Sequence, residues 1–210
     1  MAAVIKIPAS PAQPLTNGAQ DFAPRPYRFS VKEYDLMLDA GIFNENDRVE
    51  LINGVVLEMS PKNAPHSSGV YRAEKVFTKA LGERAVIRVQ DVVVLNDDSE
   101  PEPDLAMLRP PASQYDYRQP TAADVLLILE VSDTTLRFDR EAKSLTYAAA
   151  GVPQYLIFNV NAWEIEDYRE PDANGYRAKQ TYTAGQWFTL AAFPDVAISV
   201  SDLLPASPPA

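Results

Sequence analysis

The sequence predicts an α/β (α+β) domain: a mixed central sheet flanked by helices, with an antiparallel β extension at the C-terminal end. Three stretches predict it. Residues 125–131, "VLLILEV", are apolar at almost every consecutive position, as in a strand covered on both faces. The helical pattern "RFDREAKSLTYAAAG" separates that run from a second apolar one, "QYLIFNV", which is the order of strand, crossover helix and further strand. From "WEIEDYRE" onward apolar and polar residues alternate, with a turn at Asn174-Gly175.

The bulk numbers are compatible with one such domain. A chain of 210 residues, 46% hydrophobic, can bury one sizeable core. No stretch approaches the roughly 18 apolar residues of a membrane span, and the N-terminus lacks the apolar block of a secretory signal, so a cytoplasmic protein is expected. The absence of cysteine excludes disulfides, thiolate metal sites and a cysteine nucleophile together. A net charge of −10 argues against a broad basic surface and strong nonspecific attraction to nucleic acid. It leaves room for a local basic groove, and for acid concentrated where a metal binds.

In order along the chain, residues 1–26 are rich in Pro, Ala and small polar residues and read as a mobile arm. The single domain is expected over 27–203, with an unstructured tail over 204–210. Ser30 and Glu33 form a capping box for a first helix, stapled by Phe29 and Tyr34 and ended by Gly41. "DRVELINGVVLEMS" is a hairpin about Asn53-Gly54. After Pro65-His66 a second helix carries Val70, Ala73, Val76, Phe77, Ala80 and Leu81 on one face. "AVIRVQDVVVLND" reads as a long strand, Asp97, Asp98, Glu100 and Glu102 as a solvated acidic turn, and "PDLAMLR" as a short strand. Residues 125–131 form the central strand, and the following helix closes at Gly151. Trp163 and Trp187 are expected to pack the C-terminal extension.

The chemistry is carried by charges that interrupt strands. Glu130 breaks the central run, and an ionised carboxylate there is costly unless something positive meets it. Asp104 heads the strand "DLAML", twenty-six positions earlier. Asp139, Lys143 and Tyr147 are spaced i, i+4, i+8 and share one face of the crossover helix, which could bring Lys143 to the end of the strand bearing Glu130. Neighbouring carboxylates repel unless they share a proton or a cation. Without cysteine and with one histidine, the suited cation is oxygen-loving, Mg²⁺ or Mn²⁺. A lysine beside it can orient a water or stabilise charge on a phosphate. Metal-assisted hydrolysis of a phosphodiester follows as one reading. Hydrolysis by two carboxylates without metal, as in glycosidases, gains no support from paired aromatics for sugar stacking.

Pro103-Asp104 followed by Glu130-Val131-Ser132 resembles the metal-binding core of the PD-(D/E)XK nuclease superfamily. The superfamily's usual lysine is replaced by Ser132. That departure, with "DREAKSLTYAAAGVPQYLIF" after it, resembles the Uma-two family of restriction-endonuclease-like proteins, common in bacteria. "ELINGVVLEMSP", His66 before a helix and "VQDVVVLNDDSEPEPDLAML" fit as well, so that the resemblance covers roughly residues 27–203. It implies a restriction-endonuclease-like fold and a divalent-metal endonuclease acting on nucleic acid, DNA foremost. Asp104, Glu130 and the Val131 carbonyl would bind metal, Glu50 would complete the site, and Lys143 would assist the attacking water. Gln90 would touch the metal shell or substrate. A homodimer is expected, since two sites would be needed to cut both strands.

Blander roles stand beside these. Glu130 could lie at an exposed strand end, Asp104 could cap a turn, and Lys143 could pair with Asp139 on a solvated helix face. Glu50 could be an edge charge that discourages aggregation. His66 is placed as a substrate contact, and Tyr147 as a packing residue with a satisfied hydroxyl. The rival to the enzyme is a nuclease fold kept as an interaction or regulatory module, which the acidic surface and Ser132 favour.

Overall fold

The computed structural model describes residues 25–44 and 47–204. The N-terminal arm, apart from its last two residues, and the tail beyond Leu204 therefore lie outside the described residues. The chain begins with helix α1 (Val31–Asp39), entered through the capping box: Ser30 accepts from the Glu33 N–H while the Glu33 carboxylate takes the Ser30 N–H. Strands β1 (Val49–Ile52) and β2 (Val55–Glu58) pair as a hairpin. Its turn residues Asn53 and Gly54 take φ of 49° and 73°. Gly54 is required there twice over, because a Cβ would also come within 2.7 Å of the Arg28 Cβ.

Helix α2 (Ala64–Leu81) buries Gly69, Val70, Ala73, Phe77 and Leu81, so the expected face is formed, with Val76 half-buried and Ala80 left exposed. Six strands make the central sheet: β3 (Val86–Arg88), β4 (Leu105–Leu108), β5 (Val125–Ser132), β6 (Gln154–Asn159), β7 (Glu164–Asp172) and β8 (Gly175–Thr183), adjacent in that order. Only β5 and β6 run parallel; the other pairs are antiparallel. The parallel pair is joined by a helix over 136–149 (α3), α-helical at Leu136–Phe138, π-helical at Asp139–Lys143 and α-helical again at Ser144–Ala149. β9 (Trp187–Leu190) and β10 (Phe193–Ser199) form a separate hairpin.

Every residue of β5 is buried, because the sheet is covered on both faces. Leu127, Leu129 and Val131 pack with α2 and the β9–β10 hairpin; Ile128 packs on the opposite face with Tyr147, Tyr155 and Ile157. Period-two alternation therefore sends Glu130 to the face covered by α3.

Three expectations are corrected. The long strand over 85–97 is only Val86–Arg88, because Gln90 turns to φ 53° and leaves the ladder. The acidic turn is not wholly solvated: Glu100 is buried and Glu102 half-buried, since Glu100 exchanges backbone bonds with Leu51 of the hairpin. Of the two tryptophans expected to pack the C-terminal extension, Trp163 packs against the core, whereas Trp187 stays 60% exposed. The antiparallel extension itself is formed as expected: β7 and β8 continue the main sheet, and β9–β10 make a separate hairpin.

Candidate active site

The C-terminal end of β5, the entry to β4 and the middle of α3 converge on a cavity of about 380 Å³. Asp104 lies one residue beyond the Leu105–Leu129 pair of β4 and β5, which places it opposite Glu130. The Asp104 N–H donates to Glu130 Oε2 at 3.3 Å, and the Val131 N–H donates to Asp104 Oδ2 at 2.9 Å. The two carboxylates are thus held by the backbones of each other's strands. Glu130 is 4% exposed and Asp104 8%.

Lys143 meets Glu130 from α3. Its Nζ lies 2.9 Å from Glu130 Oε1 and 3.1 Å from Glu50 Oε1. The Tyr147 hydroxyl donates to the same Glu130 Oε1 at 2.7 Å. The π segment is what puts Asp139, Lys143 and Tyr147 on one buried face: in its wider turn, residues four apart lie nearly in line. Lys143 is not paired with Asp139. The Asp139 carboxylate instead accepts from the Ser132 hydroxyl at 2.6 Å and the Thr135 hydroxyl at 2.7 Å. Ser132, the residue that departs from the superfamily pattern, thereby anchors the start of the helix bearing Lys143.

Glu50 reaches Lys143 because the β1–β2 hairpin is tied to α3 by an Asn53–Thr146 side-chain bond of 2.9 Å. Its other oxygen accepts from the Glu102 N–H at 3.3 Å. Asp104 has two more partners. Gln90, at its left-handed φ, donates from Nε2 to Oδ1 at 3.1 Å, and His66 Nε2 lies 3.0 Å from Oδ2. A non-glycine residue held at positive φ next to a carboxylate is backbone strain kept at a site. Asn63 caps α2 by accepting from the His66 N–H at 3.0 Å, which orients the histidine at the helix start. Val131 lines the cavity.

Burial pushes the Glu130 carboxyl up to about 8; Lys143 opposes this and Asp104, Asp139 and Glu50 add to it. Lys143 itself is desolvated, yet the carboxylates around it, Glu130 first, raise its pKa, so it stays an ammonium. Asp104 goes the other way. Burial opposes its ionisation, but His66, the Val131 N–H and Gln90 together hold it below its ordinary value. Tyr147 is pushed up by burial and by Glu130, and remains a neutral donor.

The donor set suits an oxygen-loving cation. The cavity is lined by seven carboxylates against three basic side chains. Among the described residues no group of three or more His, Asp or Glu side chains is arranged to hold a metal ion. A cation here would rest on two carboxylates, Asp104 and Glu130, and fill its shell with water, the habit of Mg²⁺.

Arg48, Lys62 and Thr135 also line the cavity and were not singled out by the sequence, and Glu102, expected in a solvated turn, lines it too. For Arg48 a signal existed: it lies two residues before Glu50 and so shares its strand face. For Lys62 and Thr135, loop residues placed by tertiary contacts, there was none.

No curated protein matches the chain significantly in sequence. In fold it is similar to a crystal structure from Anabaena variabilis ATCC 29413, described as "a putative nuclease belonging to DUF820". The TM-score is 0.66 over 85% of this chain and 97% of that one, at 13% identity. A family model covers α1 through the C-terminal hairpin, residues 31–201, and by that match the chain belongs to the Uma2 family, described as "Putative restriction endonuclease".

Proposed function

We propose that the chain is a Mg²⁺- or Mn²⁺-dependent endonuclease hydrolysing phosphodiester bonds of nucleic acid. The observation that carries this reading is Asp104 and Glu130 bound to each other's strands, with the Lys143 ammonium fixed on Glu130 inside one cavity. A divalent cation held by the two carboxylates would supply Lewis-acid chemistry to a water and to a phosphoryl oxygen. The chain's own residues do the rest. Lys143 holds a fixed positive charge where negative charge develops on a phosphate, with no reorganisation needed during reaction. Tyr147 and Lys143 pin Glu130 by one oxygen and leave the other toward Asp104. Gln90 and the Val131 N–H keep Asp104 ionised and oriented. His66, 3.0 Å from Asp104, is placed to hold or pass a proton at Nε2. The family match and the similarity to a protein described as a nuclease support the class of reaction.

Calorimetric titration of Mn²⁺ tests the reading without a known substrate. Wild type is expected to bind, with binding lost in Asp104→Ala and Glu130→Ala. Lys143→Ala is expected to retain the ion while its cleavage rate falls by roughly 10²–10³. Full-strength binding by Asp104→Ala would sink the ligand assignment.

The second reading, an interaction module on a nuclease fold, is favoured by one observation: Lys143 already bridges Glu130 and Glu50, so the carboxylates have a cation without any metal. A folded wild type that binds no Mn²⁺ would select it.

A further inference from the structure

Seven carboxylates line the cavity, and a phosphate entering it would meet repulsion on most sides. Of the three basic side chains lining it, Lys143 lies at the floor, held by Glu50 and Glu130. The other two are Arg48, just before β1, and Lys62, two residues before the start of α2. Neither has a carboxylate within ion-pair distance among the described residues, although both line a cavity with seven acidic side chains, where Lys143 is paired twice. In a chain of net charge −10, two neighbouring cations at one acidic cavity, without an ion pair among the described residues, need an explanation.

We propose that Arg48 and Lys62 form a phosphate clamp at this cavity, binding the backbone of the nucleic-acid strand whose reacting phosphate lies between Asp104, Glu130 and Lys143. This rests on the nuclease reading and names the residues that let an acidic protein hold a polyanion. Arg48 is placed for it: one guanidinium N–H donates to the Ser60 carbonyl at 3.1 Å, which fixes the side chain and leaves further donors for a phosphate. Lys62 is anchored by donating to Gln90 Oε1, and Gln90 in turn donates to Asp104. The clamp is therefore connected to the carboxylate it would serve. Burial, and then the neighbouring Arg48, hold the Lys62 pKa below its ordinary value, and an anion bound between the two cations would relieve that repulsion. The pair also lies toward one side, β1 and the start of α2, so the strand would enter along that side and not across α3.

The test is fluorescence anisotropy with a labelled single-stranded DNA 20-mer, and the same sequence as a duplex, in Ca²⁺ buffer over a range of salt. Arg48→Ala and Lys62→Ala are each expected to weaken single-strand binding by roughly three- to tenfold and to lower the salt slope by about 0.7. Arg177→Ala, which removes an exposed charge far along the chain on β8, is expected to do neither. With a cleavable strand, the two clamp variants should raise KM more than they lower kcat. If both clamp variants behave like Arg177→Ala on either strand form, or if wild type holds neither form, the clamp is overturned. Mn²⁺ titration of the same proteins separates this from the parent reading: retained Mn²⁺ binding with salt slopes unchanged by either variant removes only the clamp, and absent Mn²⁺ binding with salt slopes lowered by both variants removes the metal-dependent nuclease reading and leaves a nucleic-acid-binding clamp.

Discussion

Lys143 and Tyr147 both donate to Oε1 of Glu130, and among the described residues Oε2 receives only a long bond from the Asp104 backbone. The carboxylate is therefore half satisfied, in surroundings that make its charge expensive. Tyr147→Phe removes one donor to the ionised form and should raise the Glu130 pKa further. Because a proton and a cation compete for the same oxygens, the midpoint of Mn²⁺ binding against pH should move upward in that variant, at a stability cost of about 1–2 kcal/mol. A tyrosine that merely fills space would leave the midpoint unmoved. At this scale the sequence exposed Glu130, which breaks an apolar run, and Asp104, which heads one; Lys143 was placed by its helical spacing and by the family resemblance. It did not show that Ser132 and Thr135 would take Asp139, and so release Lys143 from the i, i+4 pairing that helix geometry suggests.

Among the elements, α2 packs closely on β5 and β6 at Gly69. A Cβ there would lie 2.9 Å from Val131 Cγ1 and 3.0 Å from a Phe158 ring carbon, closer than atoms of a packed core tolerate. Gly69→Ala gains helix propensity but should still lose about 1–3 kcal/mol, measured by urea unfolding, because α2 must back away from the sheet. The same displacement carries His66 away from Asp104, so Mn²⁺ affinity is expected to fall with stability. The capping box of α1 and the Asn53-Gly54 hairpin were legible because a few adjacent residues decide them. The strand after Ala85 was not. Its residues are rich in Val and Ile, but beyond Arg88 the ladder gives way to isolated bridges, because Gln90 turns to bind Asp104 fourteen residues away.

Across the whole molecule, buried acid sets how stability responds to pH. Glu100, with one carboxyl oxygen buried and without a hydrogen-bond partner, is raised to about 7 by burial and by the nearby Asp35. Glu130 is raised to about 8, also by burial first. For both, the folded state holds its proton in a range where the unfolded chain has released it. Their stabilising contribution is complete below the unfolded value of 4.5 and is lost as pH rises through about 7 and 8. Stability from urea unfolding should therefore decline across that window. Glu100→Gln should flatten the part of the decline below pH 7, and saturating Mn²⁺ should offset the Glu130 part by binding the ionised form. An unchanged profile in Glu100→Gln would mean that its carboxyl is hydrated in solution. Part of the formal charge of −10 that weighs against nucleic-acid binding is thus buried and protonated near neutral pH.

The sequence by itself determined the fold class, the two-faced burial of β5, the crossover helix and the suspicion attached to Glu130, because periodicity and the cost of a buried charge are local properties of a chain. Asp104 and Lys143 joined Glu130 through the resemblance to a family. Tertiary structure alone decided that Glu50 reaches Lys143 from a distant hairpin, that Asp104 and Glu130 bind each other's strands, and that Arg48 and Lys62 line the same cavity. Those contacts join residues up to 93 positions apart, and which charges meet is set by how the layers pack, not by any spacing along the chain.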